Sequence, residues 1–404
     1  MKTTRNFPIV TVTKKAEKSL KYGHPWVYDT EILSSRGDIE NGALVDVLSE
    51  KGSYLGTGFF SETSKIRVRV LSNNANEDFG EAFFERRVKY AIEYRKSVMG
   101  DDFSCCRLIF GEADGLPGLT VDRFGDILVT EVLSYGTDIR KDMIYSQIIK
   151  TLSGLSEKVN GIYQRNDVQI RRLEGLEEYK GWYGDVHPES TKTEIVENGI
   201  KYTVDFENGQ KTGFFLDQKY NRLAIQKIAK GRRVLDCFTH TGSFALNAAN
   251  GGAEHVTAVD ISALALAQAK ENAAMNGFSD RIDFVEADVF DFLSDSSNAK
   301  KYDFIILDPP AFTKSRKTVQ SAERGYKDIN FRAMKMLPRG GYLATCSCSH
   351  FMSEDLFRKM LFEAALDADV ELKQVEARRQ SPDHPILWNV PETDYLKFYI
   401  FQVI

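Results

Sequence analysis

Cysteine is scarce in this chain: five residues among 404, at positions 105, 106, 237, 346 and 348. The number is odd and the spacings make no paired framework, which excludes a disulfide-stapled scaffold. No pair of CxxC clusters occurs, so structural zinc is not expected, nor any other metal. A reducing cytoplasm is the natural setting for such a chain. No run of about 18 apolar residues is present, so no membrane span is expected. The start, Met1 to Pro8, has no apolar segment behind its charges, which argues against a signal peptide. An excess of positive charge is missing too: the formal net charge is −5. A nucleic-acid site must then be a local patch. Residues 1–100 lean the other way, with 16 Lys/Arg against 13 Asp/Glu. No fixed-period repeat and no low-complexity tract appears.

What is present is a globular composition, 42% hydrophobic and 27% charged, at a length that suits two or three domains. Residues 1–72 read as short strands split by Gly, Asn and Ser, for example Ala43 to Leu48 and Ile66 to Leu71, a small β-rich module. Residues 73–190 hold a helical pattern at 79–99, strands within 107–135, a helix at 138–153 and a strand near 160–164, a central α+β unit. In 191–404 the Asn198-Gly199 pair signals a hairpin. Beyond 214 strands and helices alternate: strands at 232–237, 255–260, 282–286, 302–307 and 341–348, with helices between them. Such alternation means an α/β, Rossmann-like fold with a mostly parallel sheet covered on both faces. Two tail strands, near 370–377 and 395–403, can form an antiparallel edge hairpin.

Open α/β sheets bind ligands beyond the carboxyl ends of their strands. The first of these strands ends in Asp236-Cys237-Phe238-Thr239-His240-Thr241-Gly242-Ser243-Phe244. Gly242 permits a tight turn, and the helix start behind it suits a carboxylate; Asp236 can meet an amino group. After the second strand, Asp260-Ile261 offers an acceptor for two ribose hydroxyls, 24 positions beyond Asp236. After the third, Asp288-Val289 offers an acceptor for an adenine amine. Three acids at three successive strand ends point to a nucleoside. The turn lacks the second glycine of G-x-G-x-x-G that lets backbone approach a pyrophosphate. A ligand with one carboxylate, S-adenosylmethionine (SAM), fits better than NAD.

The fourth strand ends in Asp308-Pro309-Pro310-Ala311-Phe312. Two prolines stiffen that loop and remove two donors, leaving Asp308 and carbonyls as acceptors for a nucleobase. The fifth ends in Cys346-Ser347-Cys348. Both thiols share a strand face, and Cys348 lies nearer the carboxyl end. A thiol and a carboxylate together suit cytosine carbon 5, which is a poor nucleophile. Addition of a thiolate to carbon 6 makes an enamine whose carbon 5 can attack a methyl group; loss of the carbon 5 proton then expels the thiolate. The thiol needs a positive field or a hydrogen bond to ionise, and no residue for that role is evident.

These residues resemble the bacterial 23S rRNA cytosine-5 methyltransferases of the RlmI type. His24-Pro25-Trp26-Val27-Tyr28 is similar to that family's PUA domain, the run Glu112 to Gly125 to its central domain, and Lys211 to Gln218 to the entry of its catalytic domain; Gly325 to Asn330 and Asp383-His384-Pro385 also match. The resemblance implies three domains, PUA-like (1–72), central (73–190) and SAM-dependent methyltransferase (191–404). It implies that Cys348 is the nucleophile and that Gln218, Asp236, Asp260, Asp288 and Asp308 line the SAM and base site. It also implies an RNA partner, 23S rRNA or its precursor. The chain departs from the family pattern at His240, Ser243 and the additional Cys346. Lys65, Arg67 and Arg69 alternate on one strand face, with Lys14, Lys15, Lys18 and Lys21 adding charge for phosphates. Two rivals remain: methylation of an exocyclic amine, which wants an aromatic directly after Asp-Pro-Pro where Ala311 stands, and an inactive RNA-binding scaffold, which needs neither Asp308 nor Cys348. Monomer and homodimer are both open.

Overall fold

The computed structural model describes residues 6–313 and 315–404, Arg316 by its backbone alone. They form two compact units. The first holds the chain up to Glu194, Val204–Leu216 and Pro382–Thr393; the second holds Ile195–Thr203, Asp217–Ser381 and Asp394–Ile404.

The first unit begins with β1 (Ile9–Val12), α1 (Lys14–Lys21), β2 (Trp26–Tyr28), β3 (Ile32–Arg36), β4 (Leu44–Ser49), β5 (Tyr54–Phe60) and β6 (Ile66–Ser72). The six strands make one sheet in the order β2-β6-β5-β4-β1-β3. Strict alternation in β4 turns Val45 and Val47 inward, onto a core with Val10, Val12, Val27 and Val68. Helix α1 corrects the expectation that 1–72 is strands alone. Thr13 caps it by accepting from the Ala16 N–H, and Ala16 and Leu20, four apart, bury its apolar stripe.

The unit continues with α2 (Glu81–Met99), β7 (Cys105–Phe110), β8 (Leu119–Phe124), β9 (Ile127–Val132), α3 (Tyr135–Asp138), α4 (Lys141–Gly154), β10 (Gly161–Asn166) and β11 (Tyr179–Trp182). These strands form a second sheet, β11-β10-β9-β8-β7. Then β12 (Lys192–Glu197) and β13 (Ile200–Asp205) pair as a hairpin. Asn198 (φ 55°) and Gly199 (φ 79°) both take the left-handed conformation that a two-residue type I′ turn requires.

The second unit carries α5 (Lys219–Ala229), β14 (Arg233–Cys237), α6 (Ser243–Asn250), β15 (His255–Asp260), α7 (Ala263–Met275), β16 (Ile282–Glu286), α8 (Val289–Ser294), β17 (Phe304–Leu307), α9 (Val319–Met336), β18 (Tyr342–Ser347), α10 (Glu354–Asp367), β19 (Leu372–Arg378) and β20 (Lys397–Val403). Its sheet runs β16-β15-β14-β17-β18-β20-β19. The first five strands are parallel. Strand order reverses between β14 and β17, so a crevice opens at their carboxyl ends. The tail strands do pair antiparallel, but β20 inserts between β18 and β19 instead of lying at the edge.

Candidate active site

All the groups expected at strand ends lie in the second unit. Asp236, in β14, is fully buried. Its Oδ2 accepts from the Thr239 hydroxyl at 2.5 Å and the Ala245 N–H at 2.9 Å. The carboxylate therefore ties the turn to the first residues of α6. Between them Phe238 (φ 62°), His240 (φ 52°) and Gly242 (φ 81°) are all left-handed. Two of these are not glycine, a strain that persists where surrounding bonds over-determine the loop. A Cβ on Gly242 would come within 3.0 Å of the Ala269 Cβ, so α7 packs close against this turn. Phe244 is buried and stacks on Phe398, with centroids 6.2 Å apart. It supports the turn from beneath, whereas Thr241 stays part exposed above it.

Asp260, half-buried, accepts the His240 N–H at 2.8 Å through one oxygen and the Ser262 N–H at 2.9 Å through the other. It joins the loops after β14 and β15 while keeping lone pairs for further donors. Ser262 caps α7 in its place. Beside it, Ile261 is 70% exposed and Leu264 86% exposed, an apolar rim next to an acid. Asp288 is exposed and caps α8, its Oδ1 accepting from the Phe290 and Asp291 N–H groups at 2.7 and 3.4 Å; Val289 below it is buried.

Asp308 stands just beyond β17 and retains partial solvent access. Gln218 donates to its Oδ1 at 3.0 Å, and Asn221 holds the Gln218 carbonyl oxygen at 2.6 Å. Burial pushes the Asp308 carboxyl up to about 7, helped by the nearby Asp217 charge. Burial likewise pushes Asp236 up to about 7, with Asp308 and Asp260 adding to it. Both acids sit near half-protonation at neutral pH.

Four of the five cysteines are buried; Cys348 alone has solvent access. It follows Ser347, the last residue of β18, and its Sγ lies 4.0 Å from the Pro309 carbonyl oxygen. Pro309 is buried beneath that carbonyl. Cys346 is buried with its thiol against Asp308 and Gln218, where burial and the Asp308 charge push it well up. Phe312 packs on Tyr326 at 4.6 Å and against Gly325, where a Cβ would come within 3.3 Å of the ring.

The residues around β14 and β15 fit SAM on the structure's own terms. Asp236 Oδ1 is buried without a hydrogen-bond partner, the three left-handed residues form a tight turn at a helix start, and an acid with spare lone pairs stands beside an apolar rim. Among the described residues no cluster of His, Cys, Asp or Glu is arranged to hold a metal ion.

Residues 180–401 match the family of S-adenosylmethionine-dependent methyltransferases, and residues 10–73 match the PUA-like domain. A ribosomal RNA large subunit methyltransferase I from Klebsiella pneumoniae is 40% identical over 98% of this chain and 99% of its own length. The chain belongs to the ribosomal RNA large subunit methyltransferase I family. A relative of the same name from Pseudoalteromonas translucida is 41% identical over 96% of this chain and 97% of its own. Among solved structures, a SAM-dependent methyltransferase from Streptococcus mutans superposes with a TM-score of 0.81 at 23% identity, covering 98% of this chain and 99% of that one. A methyltransferase in complex with SAH gives 0.82 at 23%, covering 97% and 99%. At that identity the likeness shows the fold. SAM dependence follows from the family; none of these findings speaks for a homodimer.

One sequence expectation needs correction, and one residue was missed. The basic face of Lys65, Arg67 and Arg69 is only partly available to phosphate, with Lys65 exposed. Lys65 precedes β6, the Arg67 guanidinium donates to the carbonyls of Ser61 and Glu62, and Arg69 is buried against Glu174 at 2.9 Å. The matching run Asp383-His384-Pro385 lies in the first unit, where Asp383 accepts the Arg107 N–H at 2.8 Å and His384 bonds it at 2.9 Å. The missed residue is Lys397. Opening a strand of apolar and aromatic neighbours, it gave no local signal, yet it is buried beside the Cys348 turn.

Proposed function

We propose that this chain methylates carbon 5 of a cytosine in large-subunit rRNA through a covalent Cys348 adduct, with residues 1–72, 73–190 and 191–404 as its PUA-like, central and methyltransferase domains. The observation that carries the reading is the pairing of Asp308 and Cys348. They end neighbouring parallel strands, with Leu307 in register with Thr345, and Cys348 is the one thiol open to a substrate. The names of the 40% identical relatives supply the rRNA substrate class.

SAM supplies an electrophilic methyl group. Gln218, Asp236, Phe238, Thr241, Gly242, Phe244, Asp260, Ile261, Asp288, Val289 and Pro309 form the cofactor pocket, by contact or by holding its loops. The side chains then do the following work. Asp308, near half-protonated at neutral pH, donates its proton to ring nitrogen 3 of cytosine and draws electrons from carbon 6. The Cys348 thiolate forms a bond to carbon 6, and the ring electrons shift to carbon 5, which takes the methyl. Loss of the carbon 5 proton returns the electron pair to the ring, breaks the carbon–sulfur bond and lets nitrogen 3 give its proton back to Asp308. Burial matters because a carboxyl at its ordinary value near 3.9 would be ionised and could not donate. The base must leave any stack to reach Cys348. Phe312, half-buried, packs its ring on Tyr326, and Ala311 holds the place directly after Asp-Pro-Pro, which speaks against the amine reading.

The test uses large-subunit rRNA containing 5-fluorocytosine. Fluorine cannot leave carbon 5 as a proton does, so a denaturation-resistant protein–RNA complex is expected, absent in Cys348→Ala. That variant should still bind SAM by calorimetry while methyl transfer is lost. Methyl transfer to ordinary rRNA without any trapped complex would sink the covalent reading.

A further inference from the structure

Strand β20 is interior to its sheet, and five of its seven residues, Phe398, Tyr399, Ile400, Phe401 and Val403, are buried and apolar or aromatic. Lys397 opens the strand and is equally buried, 4% exposed. A buried ammonium without a carboxylate costs several kcal/mol before compensation, and a methionine of similar length would not incur that cost. Its bonds are few. Nζ donates to the Ser349 carbonyl at 2.7 Å and the Tyr395 carbonyl at 2.8 Å. Among the described residues no carboxylate makes an ion-pair contact with it.

The register places Lys397 opposite Ser347, so the ammonium sits against the turn that runs from Ser347 through Cys348 to Ser349. Ser349 also donates to the Thr313 carbonyl at 2.9 Å, which ties the same turn to the loop beyond Asp308 and Pro309. The nearby carboxylates are engaged elsewhere. Arg379 pairs with both Asp394 and Glu354, and Glu354 also accepts from the Tyr399 hydroxyl at 2.7 Å. Two titratable groups beside the thiol, Tyr326 on α9 and Cys346 on β18, are pushed up by burial and stay neutral near pH 7.

We propose that Lys397 is a positioning residue for the nucleophile: its buried, carboxylate-free ammonium, bonded to the carbonyl next to Cys348, holds the Cys348 sulfur as a thiolate and fixes the turn that aims it. The role rests on the reading of Cys348 given above, and it supplies the positive field that the thiol requires. Burial lowers the Lys397 ammonium to about 8, while the Asp394 and Cys348 charges work to keep its proton on. It therefore remains largely charged at neutral pH. The opposing influence on the sulfur is the electron-rich Pro309 carbonyl at 4.0 Å.

The experiment needs neither RNA nor turnover. The full-length protein is alkylated with iodoacetamide across a pH series, and modification of the Cys348 peptide is followed by mass spectrometry. The wild-type midpoint is expected at least about one unit below the ordinary thiol value of ~8.5. Lys397→Met should raise the midpoint by about one unit or more, slowing alkylation at pH 7 about tenfold, with SAM binding retained as the check on folding. Lys397→Arg keeps the charge and should restore part of the shift, which a purely structural role would not predict. If Lys397→Met does not bind SAM, Lys397→Gln replaces it in the same series. A wild-type midpoint at or above the ordinary thiol value overturns the inference whatever the variants do, and so does an unchanged midpoint in a folded, neutral variant. A shifted midpoint without a trapped 5-fluorocytosine complex would leave Lys397 in this role and remove the covalent cytosine mechanism.

Discussion

The two units bury acids in opposite ways. In the first, three carboxylates meet arginines: Asp122 with Arg107 at 2.7 Å, Asp114 with Arg95 at 2.5 Å, Glu174 with Arg69 at 2.9 Å. In the second, the donors to Asp236 and Asp308 are neutral, Thr239 and a backbone N–H for one, Gln218 and the Cys346 thiol for the other. Arg222 and Glu197, paired at 2.6 Å in the same second unit, show that its interior is not short of cations. The acids at the carboxyl ends of β14 and β17 are held by neutral groups all the same. A paired acid stays ionised and contributes to architecture. An acid held by neutral groups drifts toward the pH at which it can give or take a proton, which is what chemistry requires.

The comparison breaks first, if it breaks, at Asp308. Asp308→Asn should lower methyl-transfer kcat about 10²–10⁴-fold, the usual weight of a general acid, while SAM affinity holds. The same variant should be more stable than wild type at pH 8. The sign follows from linkage. A carboxyl raised to about 7 in the fold binds more protons folded than unfolded between pH ~4 and ~7. Its burial is free of cost below that window, and stability falls as pH rises through it. The advantage of Asn in a melting series should therefore shrink to nothing near pH 4. An advantage of equal size at every pH would mean that Asp308 does not titrate there.

The first unit should answer the other way. Asp122 is buried and takes both the Arg107 fork and the Thr212 hydroxyl, the latter at 2.5 Å. Asp122→Ala leaves a guanidinium without its partner and should destabilise that unit by about 3–5 kcal/mol, measured by urea unfolding. A loss below 1 kcal/mol would put this pair among ordinary surface contacts and blur the contrast.

The smallest expected effect sharpens the site itself. Thr239→Val removes the hydroxyl that the Asp236 carboxylate accepts. It should cost about 1–2 kcal/mol at pH 8, where the carboxylate is ionised, and less at pH 5. A cost independent of pH would mean the hydroxyl serves the turn and not the charge.

Strand ends and helix starts in the second unit were legible because their signals are local. The runs at 255–260 and 282–286 and the helices at 243–250 and 289–294 are observed at those bounds, and Asn198-Gly199 turned the hairpin as its left-handed preference requires. Helix α1 was not legible, because Lys14, Lys15, Lys18 and Lys21 read as a charged patch and masked the Ala16 and Leu20 stripe. The short β11 was missed for a related reason: a Gly in four residues hides a strand that is set by pairing with β10. Arg69 looked free because its partner Glu174 lies more than a hundred positions away.

By itself the sequence determined the alternation of the second unit and the chemistry available at each strand end, because side-chain type, turn residues and period are local properties. Only the tertiary structure decided which of those groups stay charged. It buried Cys346 and left Cys348 part exposed, gave Asp236 and Asp308 neutral donors, and brought Lys397 from the last strand against the Cys348 turn. Burial and long-range pairing set a proton's affinity, and neither is written at any one position of the chain.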